Sequence, residues 1–212
     1  MNTTSPTHSI AEIAKQIAQC ETCPLHKTRT LTVPGEGDPT SDIMFIGEGP
    51  GLNEDKEGSP FVGRAGKLLD QLLDQIGLSR NKVFITNMVK CRPPNNRDPT
   101  PSEISSCSGH LDSQIQAIDP VVIVTLGRFS FSKFFPGLPI SKVRGVPRAW
   151  KDKFIFPMYH PAAALYNPSL RPRLADDFTK LLELVNEYHN MPKIRSKSPN
   201  QVEPKQLGLF DR

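Results

Sequence analysis

The run Val121-Val122-Ile123-Val124-Thr125-Leu126 constrains the fold more than any other stretch of the chain. It shows no alternation of apolar and polar residues, so neither face of this strand is expected to meet water. A continuous apolar strand is typical of a parallel sheet that helices cover on both faces. The run therefore predicts a central strand in an α/β protein.

Further short apolar runs are separated by segments with apolar residues at helical spacing. Strands are predicted at 42–46, 83–86, 121–126 and 154–159, and helices from Ser9, at 67–76, from Thr100, at 129–135 and at 172–185. A small hairpin is expected at Val143-Arg144-Gly145. The alternation predicts a three-layer α/β/α fold with a central, mostly parallel four-stranded sheet.

The 212 residues suit one domain over 1–189, followed by a polar tail at 190–212 that is expected to be disordered. The net charge of +4 and the pI near 8.9 permit a polyanionic partner without demonstrating one. No apolar run is long enough to cross a bilayer, and the N-terminus does not resemble a signal peptide. The sequence predicts a cytoplasmic protein with no membrane partner, and the site needs only one chain, so a monomer is expected.

The chain has four cysteines, of which Cys20 and Cys23 form a Cys-x-x-Cys pair and Cys91 and Cys107 lie far downstream. Structural disulfides are not expected in a reducing compartment. Four soft ligands suit one metal centre, either zinc or a four-iron four-sulfur cluster. Four unrelated buried thiols remain an alternative, because only the first pair has a diagnostic spacing.

A glycine-rich stretch, Gly47 to Gly66, joins the first strand to the next helix. Glycines let a backbone approach a ligand closely, and prolines restrict it to few conformations. Phe61 is the one large apolar residue inside this loop, where a role in the core is not expected. The stretch is therefore predicted to hold a ligand, and the alternative is a plain connection.

Polar residues follow the predicted strands: Glu48 after the first, Asn87 after the second and His160 after the fourth. In an open parallel sheet, ligands bind outside the carboxyl ends of the strands. Each residue also has an alternative interpretation when it is considered alone. Asn87 could cap a turn, His160 could be a histidine of the core, and Glu48 could be a solvated carboxylate of the loop. Their shared position predicts a site at this edge of the sheet.

Several motifs resemble the family 4 uracil-DNA glycosylases, over about residues 20 to 185. They are Gly47-Glu48-Gly49-Pro50-Gly51 with Glu54-Asp55, Gly58-Ser59-Pro60-Phe61-Val62-Gly63-Arg64-Ala65-Gly66, Thr86-Asn87 with Val89-Lys90-Cys91-Arg92-Pro93-Pro94, and His160-Pro161-Ala162. The resemblance implies an enzyme of base excision repair that flips uracil out of single- or double-stranded DNA and hydrolyses its glycosidic bond. It also implies that Cys20, Cys23, Cys91 and Cys107 hold one structural 4Fe-4S cluster, in preference to zinc.

The chemistry of such a reaction assigns roles to these residues. Phe61 is expected to stack on the flipped base, and Asn87 to read uracil through N3–H and O4, a pattern that cytosine reverses. His160 is expected to donate to O2 as charge accumulates on the leaving uracil. His160, Glu48 and Asn87 are the predicted catalytic residues.

The remaining predicted contacts with uracil come from the glycine-rich stretch. Backbone amides around Gly47 and Gly49 are potential donors. Glu48 is expected to contact water or the sugar, and Glu54 to face uracil C5 and exclude the methyl group of thymine. Gly49 stands where family 1 enzymes have a water-orienting Asp, so no general base is evident there.

DNA contacts are expected from Arg92, Arg97, Leu165 and Arg171, with the loop after His160, including Tyr166, supplying an apolar wedge. A related branch traps its abasic product on a histidine before the fourth cysteine. The segment between Cys91 and Cys107 contains no histidine, which predicts release of uracil and a free abasic site.

The C-terminal tail resembles the short peptide with which bacterial repair proteins bind the sliding clamp. The predicted anchors are Gln206, Leu207, Leu209 and Phe210. A clamp partner and a nucleoid-associated location in a prokaryote follow as expectations. The alternatives to an enzyme of this kind are a non-catalytic iron-sulfur protein that recruits the clamp to damaged DNA, and a zinc-dependent hydrolase, whose metal site four cysteines would close.

Overall fold

The structure is a computed structural model that describes residues 9–190. Its strands are β1 (Glu36–Gly37), β2 (Ile43–Gly47), β3 (Phe84–Asn87), β4 (Val122–Leu126), β5 (Arg148–Trp150) and β6 (Lys153–Met158). Its α-helices are α1 (Ile10–Ala18), α2 (Leu52–Glu57), α3 (Arg64–Gln75), α4 (Pro101–Ile118), α5 (Arg128–Ser132), α6 (Ile140–Val143), α7 (Pro161–Tyr166) and α8 (Arg171–Asn190). Short 3-10 turns lie at Pro24–Lys27, Arg80–Lys82, Pro94–Asn96 and Pro168–Leu170.

The strands form one sheet in the order β1-β3-β2-β4-β6-β5. The four inner strands run parallel, with Phe45 opposite Ile85 on one side and Val124 on the other. These are the four predicted strands, and β4 is central as its composition indicated. The predicted strand count was too low, because antiparallel β1 and β5 extend the two edges. Strands of two and three residues are too short to show a periodicity.

Two hydrophobic cores lie on opposite faces of the sheet, which confirms the three-layer arrangement. Alternate residues of β2 divide between them: Ile43 and Phe45 pack with α3, α7 and α8. Met44 and Ile46 pack with α4, α5 and α6. Both faces of the sheet are therefore covered, which explains why its inner strands are apolar throughout.

Local sequence signals placed most helix boundaries. Ser9 and Thr100 each cap a helix with a reciprocal glutamate, as predicted. The helix α3 begins at Arg64 rather than Lys67, and the short helix α2 was not expected within the glycine-rich stretch. The hairpin predicted at Val143-Arg144-Gly145 was wrong, because Val143 ends α6 and the hairpin is formed by β5 and β6 instead.

Within residues 9–190, no helix combines the length and the apolar character that crossing a membrane requires. The predicted clamp-binding residues, Gln206 to Phe210, lie outside the described residues. That interaction therefore stays a prediction.

Candidate active site

A cleft of about 390 Å³ opens at the carboxyl ends of β2 and β3. It is lined by Glu48, Gly49, Pro50, Gly51, Glu54, Phe61, Ala65, Asn87, Asn96, Arg97, His160 and Ala162. The structure thus brings together the residues that the sequence placed after separate strands. Main-chain hydrogen bonds join the two motif loops, since the amides of Met88 and Val89 donate to the carbonyls of Gly47 and Glu48.

Asn87 lies at the end of β3 with only 2% of its surface exposed. Its Oδ1 atom is buried and has no hydrogen-bond partner, which is costly unless a ligand supplies one. Gly47 lies beside it: a Cβ atom at Gly47 would fall 2.3 Å from Asn87 Oδ1 and 2.7 Å from Phe61 Cζ. The absence of a side chain at Gly47 therefore leaves room for both groups.

A buried lysine holds the backbone of Asn87 from behind. Lys90 Nζ donates to the main-chain oxygen of Asn87 at 2.7 Å, to Thr86 Oγ1 at 2.6 Å and to Gln114 Oε1 at 2.7 Å. Burial lowers the pKa of Lys90 to about 7. With three acceptors around it, the Lys90 side chain fixes the end of β3.

The Phe61 side chain serves both the cleft and the core. It is 6% exposed and packs in the core formed by α3 and α8, so the expectation that it had no core role was wrong. Its ring stacks on the imidazole of His160, with centroids 5.5 Å apart and planes inclined by 23°. The backbone of Phe61 adopts φ 53°, a left-handed conformation that bulky residues rarely adopt.

His160 is the N-cap of α7, and its Nδ1 atom accepts a hydrogen bond from the amide of Ala162 at 3.1 Å. That bond places the proton of the neutral ring on Nε2. Burial lowers the pKa of His160 to about 4, although the nearby Glu54 carboxylate opposes the shift. At neutral pH His160 is therefore an uncharged donor through Nε2, which suits electrostatic stabilisation better than acid catalysis.

Burial also raises the pKa of Glu48 to about 7, with a further increase from Asp98 and a decrease from Arg128. A carboxylate with a pKa near neutrality at the edge of a cleft is typical of a functional group. Gly49, next to it, faces Val89, and a Cβ atom there would lie 2.8 Å from Val89 Cγ2. An aspartate at position 49 would therefore require Val89 to move.

Glu54 lines the cleft, but one of its oxygens is already bound. The Oε1 atom accepts from the amides of Val62 at 3.0 Å and Gly63 at 2.9 Å, at the start of α3. Glu54 therefore holds the loop that carries Phe61. Its predicted role beside uracil C5 stays a prediction.

The four cysteines line a second, much smaller cavity of about 10 Å³. Cys91 and Cys107 are buried, whereas Cys20 and Cys23 are partly exposed just after α1. Arg29 Nη1 donates to Cys91 Sγ at 3.3 Å and to the carbonyl of Cys20 at 2.6 Å. Within residues 9–190, no three His, Cys, Asp or Glu side chains are arranged closely enough to hold a single metal ion.

The four predicted DNA-contact residues differ in their surroundings. Arg97 lines the cleft but forms two hydrogen bonds with the carboxylate of Glu103, whose pKa falls to about 2 as a result. Arg92 Nε donates to Asn96 Oδ1, and Arg171 is exposed at the start of α8. Leu165 packs against the core, while its neighbour Tyr166 is 90% exposed.

Sequence reasoning missed three basic side chains that support the cleft or the cysteines, namely Arg29, Arg80 and Lys90. Lys90 gave one usable signal, since it is a lysine between the apolar Val89 and Cys91 directly after a buried strand. Arg29 and Arg80 gave none, because their partners are main-chain carbonyls and groups distant in sequence.

Comparison with known proteins identifies relatives along most of the chain. The family model described as the uracil DNA glycosylase superfamily matches residues 34–186. The chain is 55% identical to the type-4 uracil-DNA glycosylase of Sulfurisphaera tokodaii, over 84% of this chain and 85% of that protein. It is 49% identical to the type-4 enzyme of Archaeoglobus fulgidus and 46% identical to that of Thermotoga maritima, covering 84% and 82% of this chain and 94% of each relative.

Proposed function

The chain belongs to the uracil DNA glycosylase superfamily, and from this membership and its likeness to type-4 enzymes we infer that it is a uracil-DNA glycosylase of DNA repair. Such an enzyme is a hydrolase that acts on N-glycosyl bonds. The observation that carries the assignment to this site is the buried, unpaired Oδ1 of Asn87 in the cleft that Phe61 and His160 line. A polar atom left unpaired at such a position indicates a ligand with a matching donor.

Uracil supplies that donor. With the base stacked against Phe61, Asn87 Oδ1 accepts from N3–H and the amide NH2 donates to O4. Cytosine has an acceptor at N3 and a donor at C4, so it would leave buried groups unpaired. Gly47 has no side chain that would displace Asn87 Oδ1 or the Phe61 ring from this arrangement.

Bond cleavage proceeds as the C1′–N1 bond breaks and a water oxygen bonds to C1′. The departing uracil takes the electron pair of the broken bond, and the neutral His160 donates a hydrogen bond from Nε2 to O2, where the charge accumulates. The proton that the water loses ends on the uracil anion, which leaves as neutral uracil. Glu48, in its carboxylate form, orients the water at the edge of the cleft. Gly49 carries no carboxylate, so Glu48 is the one acidic side chain that the segment Gly47 to Gly51 offers for this role.

The four cysteines fit a 4Fe-4S cluster, because all four line one cavity and Arg29 places a positive charge against Cys91, beside the excess negative charge of cluster thiolates. Cys20, Cys23, Cys91 and Cys107 would be its ligands. Such a cluster would covalently link the segment after α1, the loop after β3 and α4, and its proposed role is structural.

DNA contacts are proposed at the edge of the cleft. Arg92 and Arg171 would contact phosphates, and Arg97 would do so while bound to Glu103. Tyr166 is better placed than Leu165 to enter the vacated stack, since Tyr166 is exposed and Leu165 packs on the core. We also propose that the C-terminal segment contacts a sliding clamp through Gln206, Leu207, Leu209 and Phe210. We further propose that the protein acts in the cytoplasm and as a monomer.

The direct experiment incubates the protein with an oligonucleotide that contains one uracil, followed by alkaline cleavage of abasic sites. We expect cleavage at the uracil position and none with an oligonucleotide that carries thymine there. Intact DNA after treatment with protein that retains its metal would refute the assignment.

Deletion of residues 206–212 is expected to leave this activity unchanged while abolishing clamp binding, and retained binding would refute the clamp proposal.

A further inference from the structure

We propose that Arg80 is a positioning residue for uracil excision, which acts by holding the backbone of Phe61 in the conformation that base stacking requires. This inference rests on the proposed function of the cleft. Arg80 does not line the cleft itself, and it follows α3 in a short turn, Arg80–Lys82.

The contact between Arg80 and the Phe61 loop is made entirely to main-chain oxygens. Arg80 Nη2 donates to the carbonyl of Pro60 at 2.7 Å and to that of Phe61 at 2.8 Å. The Nη1 atom lies 3.3 Å and 3.2 Å from the same two oxygens. A guanidinium is suited to this geometry, because its planar donors reach two acceptors at once.

The Phe61 backbone needs such a support. Its φ of 53° is an unfavourable conformation for a bulky residue, and it persists only where surrounding contacts hold it. A second constraint comes from Gly66, where a Cβ atom would lie 1.6 Å from the Phe61 carbonyl oxygen. The Phe61 carbonyl is thus confined between the backbone of α3 and the Arg80 guanidinium.

Two carboxylates lie close to the Arg80 guanidinium. Arg80 Nε lies 3.3 Å from Glu36 Oε1 on the edge strand β1 and 3.4 Å from Asp70 Oδ1 on α3. Arg80 Nε and Asp70 Oδ1 form no hydrogen bond, so the attraction between these groups is electrostatic. Arg80 therefore connects β1, α3 and the Phe61 loop, and its side chain is only 25% exposed.

The test compares Arg80→Met, Arg80→Lys and the control Lys82→Met, which removes a neighbouring exposed cation from the same turn. We expect Arg80→Met to lower kcat/KM for uracil excision about tenfold, since small displacements of a substrate-positioning group have effects of this size or larger. Arg80→Lys should recover part of the loss, and Lys82→Met should have little effect.

Combination with Phe61→Ala separates positioning from general damage. If Arg80 acts through Phe61, Arg80→Met should lower kcat/KM less than about twofold in a protein that already carries Phe61→Ala. The reason is that the effects of coupled residues are not additive. Additive losses in the double variant would overturn the proposal, as would full activity of Arg80→Met.

Amide hydrogen exchange provides a readout that does not depend on activity. The amides of Val62 and Gly63, which bind Glu54, should exchange faster in Arg80→Met, while those of β4 stay protected. Unchanged exchange at Val62 and Gly63 would refute the support role even if activity fell. A wild-type protein that shows no excision but has the expected exchange pattern would refute the proposed function alone.

Discussion

Lys90 Nζ lies 2.7 Å from the main-chain oxygen of Asn87, so a fully buried amino group holds the residue that we propose reads the base. The same Nζ binds Thr86 and Gln114, which in turn contact the carbonyl of Pro34. The network joins β3, α4 and the segment before β1. The position of the Asn87 amide thus depends on a group that does not touch the cleft.

Replacement of Lys90 by methionine is expected to destabilise the protein and to weaken catalysis. The variant fills a similar volume but leaves buried acceptors without a donor, at a cost of about 1–3 kcal/mol in the free energy of unfolding. Denaturant unfolding measures this loss, and kcat for uracil excision should also fall. A variant with wild-type stability and kcat would contradict the positioning role of Lys90.

Gly47→Ala is expected to reduce uracil excision by about two orders of magnitude, because the new Cβ atom displaces Asn87 Oδ1 and Phe61. The matched control is Gly109→Ala, on α4, where a Cβ atom meets nothing within 4 Å. That control should raise the free energy of unfolding by about 0.5–1 kcal/mol through helix propensity and leave kcat/KM unchanged. Equal activity of the two variants would show that Gly47 is not needed.

Asn87→Asp is expected to shift base preference from uracil towards cytosine. The carboxylate can accept from the exocyclic amine of cytosine, whereas it faces the O4 acceptor of uracil unfavourably. The loss of uracil excision should be about 10²–10³-fold, the size found for removal of one stabilising donor. Asn87→Ala is the control, since it should lose uracil activity without a gain on cytosine. Unchanged discrimination by Asn87→Asp would show that another group reads the base.

The pH dependence of kcat/KM should reflect the ionisation of Glu48 and not that of His160. If Glu48 orients water as a carboxylate, kcat/KM should rise with pH through about 7, its raised pKa. His160 adds no limb near neutrality, because its pKa is about 4. The limb near 7 should disappear in Glu48→Gln, measured by single-turnover excision. Persistence of that limb in Glu48→Gln would assign it to another group.

The same two pKa shifts affect stability with opposite signs. Glu48 is harder to ionise in the folded state, so its contribution is fully present below pH 4.5 and is lost as pH rises to about 7. His160 is harder to protonate when folded, so its contribution is present above pH 6.5 and is lost as pH falls to about 4. Glu48→Gln should remove the decrease in melting temperature that Glu48 causes between pH 4.5 and about 7. The same dependence of melting temperature on pH in the variant and the wild type would contradict this prediction.

The cysteine centre is tested by metal content and absorbance. We expect protein purified without oxygen to contain about four irons and a broad visible absorption band, and Cys91→Ser to lose both. Thermal unfolding should occur at a lower temperature in Cys91→Ser, because three segments lose their shared link. Stoichiometric zinc without a visible band would replace the iron-sulfur proposal.

The sequence alone determined the layered fold and the edge of the sheet where the site lies. The continuous apolar run at β4 predicted a strand buried on both faces, and strand direction then placed Glu48, Asn87 and His160 together. These inferences succeed because hydrophobic periodicity and capping are local properties of the chain. They fail for β1 and β5, which are too short to carry a period.

Only the tertiary structure decided how the site is held. Phe61 belongs to the core as well as to the cleft, and Arg80 binds its carbonyl. Lys90 binds the carbonyl of Asn87, and Val89 occupies the space beside Gly49. All of these features depend on contacts that form only in the folded chain. A main-chain carbonyl is present at every residue, so the sequence does not mark which one a cation will bind. Likewise, the pKa values of Glu48 and His160 follow from burial, which arises only when the segments pack together.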